Sequence, residues 1–75
     1  MSPRLPRVTA REIVSVLQRC GFVFSRQSGS HAIYKNATGK RITVPIHAGK
    51  ILHPKTLKSI LRDLEISTED LRKLL

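Results

Sequence analysis

The sequence predicts an α+β fold: a three-stranded antiparallel sheet with helices on one face, in the order α-β-β-β-α, followed by a short C-terminal helix. Three observations carry this prediction. A Thr-x-x-Glu start opens an apolar pattern at helical spacing that stops at Gly21. Three consecutive segments rich in β-branched and aromatic residues are separated by glycine-containing turns. Helical spacing then resumes at Pro54. The chain of 75 residues has room for a single domain, residues 1–75, with one core and one site.

Each element has its own local reason. Thr9–Glu12, "TARE", suits a capping box, in which the Thr9 hydroxyl and the Glu12 carboxylate satisfy backbone donors at a helix start. Val8 and Ile13 are spaced as its hydrophobic staple. Ile13, Val16, Leu17 and Cys20 repeat on one helical face until Gly21 offers a left-handed stop, so the first helix is expected over about residues 10–20. "FVFSRQ", "SHAIYKN" and "KRITVP" are expected as strands of a meander, joined through "SG" and "ATG", with Gly39 placed for positive φ. Pro45 ends the third strand because it brings no ladder donor. "IHAGKILH" reads as a loop. Pro54 suits the first turn of the second helix, whose apolar residues are Leu57, Ile60, Leu61 and Leu64. "ISTEDLRKLL" reads as a last short helix, with Ser67 as N-cap and Ile66 stapled to Leu71.

Fourteen Lys and Arg against five Asp and Glu give a formal net charge of +9. Residues 13–62 contain no acid and nine bases, so the whole excess lies in the middle of the chain. Such a field attracts polyanions, above all nucleic acid. Cys20 is the only cysteine, so no internal disulfide can form and a reducing compartment is expected. The opening "MSPRLPRVTA" has no apolar signal-peptide core, and no stretch reaches bilayer-spanning length. A soluble cytoplasmic protein with no membrane partner is therefore expected.

Several chemistries lack their parts. His31, His47, His53 and Cys20 show none of the close pairing that marks a zinc site, so no metal and no cofactor are expected. There is no Gly-rich phosphate loop, and the strands carry no paired carboxylates for glycosidase or two-metal nuclease work. Cys20 continues an apolar stripe and reads as a core thiol.

Histidine remains, and RNA offers it a reaction that needs no metal. The ribose 2′-OH can attack the neighbouring phosphorus if a base takes its proton and an acid protonates the departing 5′-oxygen. Histidine can do either near neutral pH, while Lys and Arg stabilise the charge that develops on phosphorus. His31 opens the second strand and shares a face with Ile33 and Lys35, while Ala32 and Tyr34 point the other way. Each face carries one clearly apolar residue, so the sequence leaves open which of them meets the helices. Lys50, Lys55 and Lys58 are the expected phosphate contacts, supported from the strands by Arg26, Lys35 and Arg41. Phe22, Phe24 and Tyr34 are too few for a platform that stacks single-stranded bases, so a loose sequence preference is expected.

The runs "GFVFSRQSGSHAIYKN", "TGKRITVPIHAGKIL" and "KTLKSILRDLEIS" resemble the HicA, or YcfA-like, family of toxin mRNA interferases, over about Thr9 to Ser67. The resemblance implies a fold like the double-stranded-RNA-binding domain, ribosome-independent cleavage of messenger RNA, and a cognate HicB-type antitoxin. It implies that His31, the histidine of Gly-Ser-His, is catalytic. His47 matches the histidine of Val-Pro-x-His and is the candidate for the second proton-transfer group. Family members often carry glycine before Thr-Leu, where this chain has Lys55. The alternative from a different class is a non-catalytic double-stranded-RNA-binding module that uses the same basic face.

Overall fold

The computed structural model describes residues 5–47 and 49–75. The readings of the N-terminal segment and of the loop after Pro45 fall partly outside these described residues. In chain order the elements are α1 (Ala10–Arg19), β1 (Val23–Ser28), β2 (His31–Lys35), β3 (Arg41–Pro45), α2 (Pro54–Leu64) and α3 (Thr68–Leu74). The strands form one sheet in the order β1-β2-β3, with both neighbouring pairs antiparallel. This is the α+β order read from the sequence.

The helix ends follow local chemistry closely. Thr9 and Glu12 form the expected capping box: the Thr9 N–H donates to Glu12 Oε1 at 2.9 Å and the Glu12 N–H donates to Thr9 Oγ1 at 3.2 Å. At the other end of α1 the Phe22 N–H donates to Leu17 O at 2.9 Å and the Gly21 N–H to Gln18 O at 3.2 Å. This is a Schellman closure with Gly21 at φ +87°, and the turn drops the Phe22 ring into the core next to α1. Cys20 is consequently the C-cap, half-buried against the core rather than fully inside it. α2 ends in the same pattern with a residue poorly suited to it: Glu65 takes the left-handed conformation at φ +58°, while Ile66 N–H reaches Leu61 O. Ser67 and Asp70 form a second capping box at the start of α3.

One face of the sheet is covered and the other is bare. Ala32 and Tyr34 of β2 and Ile42 and Val44 of β3 are buried with Ile13, Val16 and Leu17 of α1, Leu57, Ile60 and Leu61 of α2, and Leu71 of α3. β1 contributes no buried residue. A bulge between Phe24 and Arg26 breaks its alternation, so Phe24 lies opposite Tyr34 while Arg26 lies opposite Ile33. In a regular strand those two residues would share a face. Here Phe24 meets Tyr34 edge to face, with ring centroids 5.7 Å apart, yet stays 53% exposed because the helices do not reach over β1.

The loop after β3 is stitched to the segment before α1. The Leu52 N–H donates to Val8 O at 2.8 Å, and Thr9 and Ile51 form an isolated antiparallel bridge. This brings the starts of α1 and α2 to the end of the sheet where β3 finishes and β2 begins. Among the described residues no helix is long and apolar enough to cross a membrane.

Candidate active site on the open sheet face

A two-residue turn positions His31. Ser28 pairs with His31 across the β1–β2 connection, and Gly29 supplies the positive φ, +58°, that so tight a hairpin requires. His31 is thus the first residue of β2, and since Ala32 and Tyr34 are buried, its side chain lies on the bare face. Across β3 its partner is Pro45, and the Ile46 N–H donates to Ser30 O, which clamps the next loop to the hairpin. Among the described residues no hydrogen bond holds the His31 ring, so it is open to a ligand from solvent.

His47 follows Pro45 by two residues, a stretch of at most about 7 Å. The structure therefore brings His31 and His47 to the same end of the sheet, both exposed. His47 lies between two depressions, one shared with Thr9, Arg11 and Val14 of the α1 side and one with Lys50, His53 and Thr56 of the α2 side.

The six expected phosphate contacts divide into groups. Arg26 is on the bare face, opposite Ile33 and diagonal to His31, so the two side chains can reach a common ligand. Lys50 and Lys55 stand at the His31 end, in the loop and in the first turn of α2. Lys35 and Arg41 are paired directly across β2 and β3 on the bare face, but four residues of strand, about 13 Å, separate Lys35 from His31. Lys58 is exposed one turn further along α2, outside the groove that Lys55, Thr56, Ser59 and Asp63 form with Arg41 and Thr43. Among the described residues none of these six cationic side chains is engaged in a hydrogen bond or ion pair, so all are open to a ligand.

His53 is the residue that sequence reasoning missed. It is the N-cap of α2, accepting at Nδ1 from the Lys55 N–H at 3.2 Å, and it lines the same depression as His47 and Lys50. The signal was present in "HPKT", where the position before an N1 proline is a capping position, but histidine is not among the usual caps. With Nδ1 accepting, the ring proton sits on Nε2, which is left to donate. Among the described residues no three His, Cys, Asp or Glu side chains come together to hold a metal ion.

Fold and site together define a small α+β domain, of the same element order as the double-stranded-RNA-binding domain, with one basic sheet face left bare around a histidine. Residues 10–66 match the family model for the HicA toxin of bacterial toxin-antitoxin systems, and the chain belongs to that family. Membership makes it a toxin-family protein with an antitoxin as its implied partner. No curated protein matches the chain.

Proposed function

We propose that this toxin is a metal-independent endoribonuclease, an mRNA interferase that arrests translation by cutting messenger RNA, with His31 as a general acid or base. The observation that carries the reading is the position of His31: exposed on the bare face, diagonal to Arg26, with the loop bearing His47 and Lys50 anchored beside it. The 2′-OH attacks the adjacent phosphorus and gives its proton to one imidazole. The P–O5′ bond breaks, and the second group, His47, protonates the departing oxygen. The products are a 2′,3′-cyclic phosphate and a free 5′-OH. Proton transfer of this kind contributes about 10²–10⁴-fold. Arg26, Lys50 and Lys55 stabilise the phosphoryl oxygens, while Lys35, Arg41 and Lys58 hold more distant backbone.

One observation favours a second reading. Among the described residues no side chain orients the His31 ring, whereas catalytic bases commonly have such a partner, and this would suit a binding module without catalysis. Incubation with RNA in excess EDTA separates the two. The enzyme reading expects cleavage with cyclic-phosphate ends, reduced about 10²–10⁴-fold in a folded His31→Ala variant. Undiminished cleavage by that variant, or cutting next to a 2′-deoxyribose, rules this mechanism out. The antitoxin, we propose further, inhibits by occupancy: a protein acidic enough to be drawn to a +9 surface covers His31 and the lysines together and excludes RNA.

A further inference from the structure

We infer that the depression beside Pro45 is a base-binding pocket, which holds the nucleobase of a nucleotide adjoining the scissile phosphate and gives the enzyme a sequence preference. The inference rests on the ribonuclease reading for the identity of the ligand, and on the structure for the pocket. Its volume is about 280 Å³, just below the usual range of drug-sized ligand sites, which suits one base rather than a larger molecule. Pro45, Ile51 and the buried Leu52 give it an apolar floor, and His47, Lys50 and His53 its rim.

That composition separates a base from a bare phosphate. A phosphate gains nothing from Pro45, Ile51 and Leu52, whereas the flat face of a base loses water against them and stacks on imidazole. Ile51 is 50% exposed, which leaves apolar surface uncovered beside a basic rim, as a groove for a neutral ring on an anionic chain requires. The His53 cap directs the ring: Nδ1 is engaged by the Lys55 N–H, so Nε2–H is the donor offered to a base-edge acceptor. Lys50 on the same rim suits the attached phosphate.

Location ties the pocket to the chemistry. Pro45 lies directly across from His31, so the pocket begins about one strand spacing, roughly 4.8 Å, beyond the histidine. Thr56 lines both this pocket and the groove that runs on between β3 and α2 past Lys55 and Arg41, so a strand anchored by its base here has a continuous path for its backbone. The few aromatic residues pointed to loose specificity; a pocket of imidazole and aliphatic side chains supplies the missing surface without them.

The test uses the whole protein and a readout independent of cleavage. Each of the four nucleoside 5′-monophosphates, and inorganic phosphate as the comparison, is titrated while amide and imidazole resonances are followed by NMR. A nucleotide should move Ile51, Leu52 and His53 signals in a base-dependent way, and phosphate at equal concentration should leave Ile51 and Leu52 in place. His53→Asn keeps a good N-cap and removes the ring, and should weaken nucleotide binding at least about fivefold, the low end of what one stacked side chain contributes to a base. Equal perturbation by phosphate and by every nucleotide, or unchanged binding by His53→Asn, would overturn the pocket. Base-dependent binding in a protein that cuts no RNA would support the pocket and sink the ribonuclease reading, so the two failures are distinguishable.

Discussion

Thr43 and Val44 are neighbours in the chain, yet they belong to different parts of the protein's work. Val44 is fully buried beneath the helices with Ala32, Tyr34 and Ile42, whereas Thr43 is exposed on the face that carries His31, Lys35 and Arg41. The same two strands therefore hold the fold together on one side and carry the candidate site on the other. Strand alternation makes this separation possible, because a residue can change on one face without disturbing packing on the other. β1 shows what happens where the covered face has no cover. Its residues are all exposed, and its bulge places Phe24 and Arg26 on opposite sides. It contributes its hairpin and Arg26 to the candidate site and little to the core.

Matched charge insertions would break or sharpen that comparison most strongly. Val44→Asp places a carboxylate in the core with no partner and should cost more than about 4 kcal/mol, enough to unfold a domain of this size. Thr43→Asp should change stability by no more than about 0.5 kcal/mol while weakening RNA binding. Circular dichroism melts and filter binding on both variants check this, and similar melting of the two would end the two-face account.

The next effect concerns the bare face and its borders. Each phosphate contact on single-stranded RNA contributes about 0.7 to the slope of log affinity against log salt. Lys50→Ala and Lys55→Ala should each lower the slope by about that amount, and Lys58→Ala by less, because Lys58 lies outside the groove along β3. Equal effects at all three positions would place the RNA over the outer side of α2 instead.

Changes at the acidic end should affect stability alone. Glu65 pays a steric penalty in the left-handed region and sits at a helix C-terminus where negative charge is unfavourable. Glu65→Gly should therefore raise stability by about 0.5–1 kcal/mol, seen as a Tm higher by about 2–8 °C, with RNA cleavage unchanged. The smallest effect belongs to Asp70. Its carboxylate accepts from the Ser67 N–H at 3.1 Å, and this backbone hydrogen bond, with the Ser67 side chain, holds its pKa below the ordinary value. A depressed acid stabilises the fold above its unfolded pKa and stops doing so as pH falls through the folded value. The start of α3 should loosen below about pH 4, before any change in the neutral range, as NMR titration of the Ser67 and Leu71 amides would show. An Asp70 titration at the ordinary pKa would remove the cap as a source of stability.

Much of this was legible because it is local. The Thr9–Glu12 box, the Gly21 stop, the Ser67 cap and the hairpin glycine each depend on residues within four or five positions, and their hydrogen bonds formed as the spacing implied. Glu65 was illegible for the same reason in reverse. No glycine marks the end of α2; the left-handed turn there is held by Ile66 packing back on the core, a tertiary contact that overrides a local preference. His53 was missed because a histidine cap is uncommon, and because its partnership with His47 and Lys50 depends on how a loop closes.

The sequence by itself determined the order of elements, the alternation that sets His31 apart from Ala32, and the concentration of positive charge between Glu12 and Asp63. It could not determine which side of β2 the helices cover, since Ile33 on one face balances Ala32 and Tyr34 on the other in any local reading. Only tertiary structure decided that, by burying Ile42 and Val44 against α1 and α2 and so turning His31 outward. It also joined His31, His47, Lys50 and His53 at one end of the sheet, through the Ile46–Ser30 and Leu52–Val8 hydrogen bonds. The physical reason is range: caps and periodicity act within a few residues, whereas the covered face and the site are set by apolar burial and backbone pairing between segments far apart in the chain.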